Sequence, residues 1–185
     1  MIISVMERGQ FVATLRSVHV TLMEILAAWV PTTPEMEVKL LFGEHIWDVA
    51  QHADALGKRT FELRMPLQHS LRPAEAYGEL LAEVGAIEPT PERIAAVYDV
   101  LLPGVAARYR RYLERTDSLL DAPTVRILER WLWDCGRMLD TCRALRQELS
   151  DLHLVDTAWT DALGSREAAI DFLIAPHADA VPVEA

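Results

Sequence analysis

Proline at the start of apolar-periodic segments is the feature that most restricts how this chain can fold. Thr33-Pro34, Arg72-Pro73, Thr90-Pro91 and Asp121-Ala122-Pro123 each precede a run in which apolar residues recur every three or four positions. A Thr or Asp cap followed by Pro in the first turn favours a helix start, and no useful length of sequence alternates with the period of a strand. We therefore predict an all-α chain with helices at about 9–30, 34–65, 73–84, 91–116 and 122–151, and a weaker helix at 165–174.

The connections between these helices predict how they are arranged. The first two helices are joined through Pro31-Thr32-Thr33, and the fourth and fifth through 116–121. Short connections favour antiparallel neighbours, so we predict an up-down four-helix bundle. The segment 66–89, with its short third helix, is then the crossover. Residues 1–155 form the predicted bundle, and residues 156–185 form a C-terminal extension with a short helix and a frayed tail.

Charge and composition exclude several classes of function. The chain has 185 residues and a formal net charge of −10, which disfavours binding to nucleic acid or to an anionic membrane because both need a cationic surface. No uninterrupted apolar run reaches ~18 residues, so we expect no membrane span, and we see no secretory signal. The cysteine content fits reduced thiols, and we therefore expect a cytoplasmic protein.

Both cysteines lie on the predicted apolar stripe of the fifth helix. The stripe follows steps of three and four through Val125, Leu128, Leu132, Cys135, Leu139 and Cys142. Cys135 and Cys142 are seven residues apart on one helix, about 10 Å along its axis, which is too far for a disulfide. We expect two buried free thiols.

The fourth helix carries an unusual polar set on its core-facing side. Tyr98, Arg108, Tyr109 and Tyr112 share that side with apolar residues, and a buried tyrosine hydroxyl needs a partner. One interpretation is that these side chains reach solvent at the end of the bundle. The other is that Tyr98 and Tyr109 bind or orient a substrate, and that Arg108, with Arg59 of the second helix, binds an acidic one.

Histidines on the first two helices form the most informative pattern. His45, Asp48 and His52 share one side of the second helix, since positions i, i+3 and i+7 coincide, and Glu44 flanks them. His19 precedes Thr32 by 13 residues and His45 follows it by 13, so antiparallel packing predicts that the two are level. We therefore predict one interior pocket holding His19, His45, Asp48 and His52. Imidazoles with a carboxylate suit a divalent transition metal or a proton shuttle; hydrogen-bonded core histidines are the structural alternative.

Two stretches resemble a known superfamily. The stretch 43–64, GEHIWDVAQHADALGKRTFELR, resembles the second helix of ferritin-like proteins, including bacterial ferritin-like domain proteins. The stretch 109–128, YRRYLERTDSLLDAPTVRIL, is similar to the turn that opens their fourth bundle helix. The resemblance covers about residues 10–150. It implies a ferritin-like up-down four-helix bundle and, in active members, two irons held by Glu and Glu-x-x-His motifs.

The sequence departs from that di-iron pattern. The second helix reads Asp48-x3-His52, the fifth reads Trp133-Asp-Cys-Gly-Arg-Met138, and no histidine lies between His69 and His153. A degenerate di-iron motif remains, so we expect no symmetric di-iron centre. One Fe or another divalent metal, held by His19, Glu44, His45, Asp48 and His52, is the remaining metal prediction.

Two functional hypotheses follow. The first is a ferritin-like enzyme acting on a small molecule in the bundle interior, with His45, Asp48 and His52 as catalytic residues. It is either a mononuclear metal-dependent oxidoreductase or a metal-free acid/base catalyst. The second is a non-catalytic bundle that serves as a binding or oligomerisation module, for which a homodimer is the simplest assembly.

Overall fold

The computed structural model describes residues 4–66 and 69–174. Within them 80% of the residues are helical, and no strand is present beyond one isolated bridge between Pro73 and Ile174. The all-α prediction is confirmed. The helices are α1 (Val5–Trp29), α2 (Met36–Glu62), α3 (Glu75–Gly85), α4 (Thr90–Ile94), α5 (Leu102–Arg115), α6 (Ala122–Glu148) and α7 (Thr157–Ala169).

The main departures from the predicted bounds lie at the two ends of the chain. Helix α1 begins earlier than predicted, because Ser4 and Glu7 form a capping box. Helix α7 occupies Thr157–Ala169 instead of 165–174, because the carboxylate of Asp156 accepts from the backbone N–H of Ala158 and starts the helix there. The predicted frayed tail from Pro176 lies outside the described residues.

Helices α1 and α2 form the first antiparallel hairpin. Trp29 lies near Phe42 close to the connection, where the ring centroids are 5.8 Å apart. At the far end Gly9 of α1 lies against Leu63 and Met65, just beyond α2. The connection is a 3-10 turn, Val30–Thr32. The apolar faces of both helices are buried in this contact, which supplies much of the core.

The second hairpin pairs α6 with a long composite helix. Helix α4 continues through a π-helical segment, Ala95–Leu101, into α5. The sequence predicts a kink at Pro103, since proline has no N–H and crowds the carbonyl four residues earlier. The structure has a wider, π-type turn just upstream of the proline, where the N–H of Leu102 bonds the carbonyl of Val97, five residues back. The wider turn keeps the helix continuous and leaves Tyr98 buried.

Helix α6 buries a slightly different stripe from the predicted one. Leu128, Cys135 and Cys142 are buried as predicted, but Trp131 and Met138 occupy the inner positions in place of Leu132 and Leu139. Both stripes follow steps of three and four, so periodicity does not separate them. The larger Trp131 fills the space between α1, α2 and α5. Both cysteines are free and buried, which confirms their prediction.

Helix α1 also qualifies the expectation about membrane spans. By length and composition alone, Val5–Thr32 is apolar enough to cross a membrane, although charged residues interrupt it. Half of its most apolar stretch is buried inside the protein. The core helix of a folded domain has the same apolar residues, so length and composition alone do not distinguish it from a membrane span.

Candidate functional site

His19, Tyr109 and His52 form a buried hydrogen-bonded chain between three helices. The Tyr109 hydroxyl of α5 lies 2.6 Å from Nε2 of His19 on α1 and 2.7 Å from Nε2 of His52 on α2. His19 and Tyr109 are fully buried, and His52 retains 6% of its exposure. The burial of Tyr109 is therefore compensated by two partners, and its side chain does not reach solvent at a bundle end.

Trp131 encloses this chain from the side of α6. Its ring lies edge-on to His19 at 4.4 Å between centroids and stacks on His52 at 4.8 Å. Sequence reasoning did not assign Trp131 to the site. An available signal was its place three residues after Leu128 and four before Cys135, on an equally regular apolar stripe.

The structure pairs His19 with His52, whereas residue counting from the turn paired it with His45. The rings of His19 and His52 are 4.5 Å apart. The reason is the direction of side chains on helices, which tilt toward the N-terminus. In this antiparallel hairpin His19 leans away from the turn and His52 leans toward it. The two rings thus meet although their Cα atoms differ in level, and the predicted pocket of four residues is divided into two sites.

Burial keeps the paired imidazoles neutral. Desolvation lowers the pKa of His19 to about 3. Desolvation, and then the proximity of His19, lower the pKa of His52 well below its ordinary value. The pKa of Tyr109 is raised well above 10, chiefly by burial. At neutral pH the hydrogen-bonded chain therefore consists of two neutral imidazoles, those of His19 and His52, bridged by the neutral phenol of Tyr109.

His45 belongs to the second site, with Glu44 and Asp48. Its Nδ1 lies 2.6 Å from the hydroxyl of Tyr98, and its Nε2 is enclosed without a hydrogen-bond partner among the described residues. One potential ligand atom from each of Glu44, His45 and Asp48 lies within 4.8 Å of the others. Both carboxylates are ion-paired with Arg137 of α6, a residue that sequence reasoning did not assign.

A groove between α2 and α6 connects the His52 end of the buried hydrogen-bonded chain with solvent. It encloses about 480 Å³, and His52 is among its lining residues. Trp47 and Asp48 line it from α2, and Arg126, Arg130 and Asp134 line it from α6. Since Tyr109 occupies Nε2 of His52, Nδ1 is the ring nitrogen left for a molecule in this groove. This groove lies at the edge of the bundle, whereas the prediction placed the pocket of these histidines in the interior.

The two arginines predicted to bind substrate have partners within the protein. Arg59 donates to Thr124 at 2.8 Å and to the buried carboxylate of Asp121 at 3.0 Å, which ties α2 to the start of α6. Arg108 is ion-paired with Glu167 and donates to the carbonyl of Ile170 at 2.8 Å, which holds the end of α7. Their substrate-binding role, like that of Tyr98 and Tyr109, stays a prediction.

Comparison of the chain with protein-family models, with curated proteins and with solved structures finds no match.

Proposed function

We propose that this protein binds a small planar anion in the groove between α2 and α6 and moves a proton on it through His52. The observation that carries the proposal is the Tyr109 hydroxyl, which links Nε2 of His52 at the groove to Nε2 of His19 in the core. An imidazole at a solvent-connected groove, with its second nitrogen in a directional hydrogen-bond chain, is an arrangement suited to general acid–base chemistry.

The single hydroxyl proton of Tyr109 allows two arrangements of the hydrogen-bonded chain of His19, Tyr109 and His52. The Tyr109 hydroxyl has one proton, so it donates to one imidazole and accepts from the other. When Tyr109 donates to His52, the His52 proton is on Nδ1 and can be given to a ligand. When Tyr109 accepts from His52, Nδ1 presents a lone pair and can take a proton. His52 is therefore an acid at Nδ1 in the first state and a base at Nδ1 in the second, and both imidazoles are neutral in each state.

The low pKa values select the class of reaction. With a pKa of about 3, protonating His19 at pH 7 costs about 5 kcal/mol. Burial also lowers the pKa of His52, so an imidazolium at His52 is favoured only beside an anion, such as the one left when the ligand loses a proton. The proton then returns to the same molecule at a second atom. This is an isomerisation in which the bonds to hydrogen balance and no oxidant or reductant is needed.

The groove residues indicate the ligand class. Trp47 has an exposed ring that can stack on a planar group. Arg130 is paired with Asp134 at 2.9 Å, whereas Arg126 has no ion-pair partner in the described part of the chain. An unpaired guanidinium favours a carboxylate or phosphate on the ligand.

We also propose that the chain is related to the ferritin-like proteins that its sequence resembles. Two antiparallel hairpins, α1/α2 and the composite helix with α6, support an up-down bundle of this type. The alternative is a non-catalytic binding module, which would use the same groove and bind the same ligand class without moving a proton.

The test measures exchange of ligand hydrogens with solvent. Planar carboxylates are incubated with the full chain in D₂O, and deuterium incorporation is followed by NMR. We expect His52→Gln to abolish exchange and Tyr109→Phe to lower it by about 10²-fold or more, with unchanged helical circular dichroism. The control is His153→Gln, at an exposed histidine. Binding without exchange would support the module, and no binding, or exchange unaffected in His52→Gln, would exclude the proposed function.

A further inference from the structure

We propose that Glu44, His45 and Asp48 form a site for one divalent first-row transition-metal ion, and that Arg137 competes with the ion for the two carboxylates. The three residues lie on one helix, and one potential ligand atom from each lies within 4.8 Å of the others. The site is separate from the chain of His19, Tyr109 and His52.

His45 supplies the observation that distinguishes this cluster from an ordinary acidic surface. The residue is fully buried, and its Nε2 has no partner among the described residues. Its Nδ1 is held by Tyr98 at 2.6 Å, so Nε2 is the nitrogen left for the cluster. If Nδ1–H donates to the Tyr98 oxygen, Nε2 carries the lone pair. An outer hydrogen bond of this kind fixes the tautomer of metal-binding histidines.

Arg137 shows that the carboxylates already attract a cation. Its Nη1 lies 2.8 Å from Glu44, and its Nη2 is paired with Asp48. Asp134 lies 3.9 Å from the same guanidinium. Asp134 is itself paired with Arg130, so the carboxylates of Glu44 and Asp48 share the single charge of Arg137, and a dication would balance these two better. Arg137 is one-third exposed, so its side chain can move away without opening the core.

The donor set indicates the class of ion. One imidazole nitrogen with two carboxylate oxygens suits Zn²⁺, Mn²⁺, Fe²⁺ or Co²⁺, whereas Mg²⁺ and Ca²⁺ prefer all-oxygen sites. Ligand atoms on a tetrahedral ion with bonds of about 2.1 Å are about 3.4 Å apart. The cluster must therefore close slightly, and Glu44, whose side chain is exposed, can move once Arg137 has left it.

This inference keeps only three of the five metal ligands predicted from the sequence. His19 and His52 each use Nε2 to bind Tyr109, so the structure gives them a different role. Asp48 also lines the groove, which directs coordination positions not filled by protein toward that space. Metal binding at Glu44, His45 and Asp48 does not require the hydrogen-bonded chain of His19, Tyr109 and His52. Failure of the metal proposal would therefore leave the proposed function intact, and the reverse also holds.

The experiment is a titration of the full chain, purified without a histidine tag, with ZnCl₂ and with MgCl₂ by calorimetry and with CoCl₂ by visible absorption. We expect one ion per chain. His45→Gln and Asp48→Asn should each weaken binding by at least about tenfold, and Arg137→Gln should tighten it because a competing cation is removed. Asp54→Asn is the matched control: Asp54 lies on the same helix and is ion-paired with Lys58.

Three results would overturn the proposal. These are the absence of Zn²⁺ and Co²⁺ binding, equal loss of affinity in Asp48→Asn and Asp54→Asn, and equal affinity for Zn²⁺ and Mg²⁺ with no effect of His45→Gln. The last two would identify a diffuse acidic surface. Asp48 is partly exposed, so its variant remains informative if the buried His45→Gln chain fails to fold.

Discussion

At the scale of single residues, the environment of His19 decides its protonation and links it to stability. The ring is enclosed by His52, Tyr109 and Trp131, and no carboxylate contributes to its pKa of about 3. An unfolded histidine titrates near 6.5. Above that pH both states are neutral and the histidine makes no pH-dependent contribution. Below it only the unfolded state takes up the proton, so stability falls as the pH falls from about 6.5 toward 3.

The resulting prediction concerns the acid side of the stability profile. Between pH 7 and pH 5, His19 alone should lower the free energy of unfolding by about 2 kcal/mol. Urea unfolding of the wild type and of His19→Gln at both pH values measures this difference. The loss of stability should be about 2 kcal/mol smaller in the variant, and an equal loss in the two proteins would show that His19 is protonated in the fold.

At the scale of helices, two glycines in helix interiors have opposite roles. A Cβ on Gly104 of α5 would lie 2.1–2.5 Å from the carboxylate atoms of Glu167, which is ion-paired with Arg108. A Cβ on Gly43 of α2 would meet nothing within 4 Å. Gly104 therefore permits α7 to approach α5, whereas Gly43 only reduces helix propensity.

The two alanine substitutions should consequently change stability in opposite directions. Gly104→Ala should destabilise the protein by about 1–3 kcal/mol, because α7 or the ion pair of Arg108 must shift. Gly43→Ala should stabilise it by about 0.5–1 kcal/mol through helix propensity. Chemical denaturation of both variants gives the comparison, and a stable Gly104→Ala protein would mean that α7 is not packed closely on α5.

At the scale of the whole molecule, the cysteines report on the integrity of the core. Cys135 and Cys142 are buried on α6, and burial raises the pKa of their thiols to about 11 and about 12. Low exposure and a low thiolate fraction both slow reaction with a thiol reagent. Labelling of both thiols should therefore follow global unfolding, with a rate that rises in urea as the unfolded population does. Rapid labelling in native buffer would contradict the burial of the α6 stripe.

The positions of the helices and their order can be read from local sequence signals. Proline and cap residues give strong local signals, and short connections favour antiparallel neighbours, so the two hairpins and the buried cysteines follow from the sequence alone. It also identified His19, His45, Asp48 and His52 as unusual on apolar faces. These properties are encoded within a turn or two of chain.

Which of those residues meet depends on how the helices pack against one another. The tilt of side chains on antiparallel helices joins His19 to His52, and a choice between two equally periodic stripes brings Trp131 inward in place of Leu132. Arg137 reaches Glu44 and Asp48 across a gap of 89 residues or more. Periodicity specifies the face of a helix but not its rotation and axial position against a neighbour. Those are set by the packing of large side chains from several helices at once.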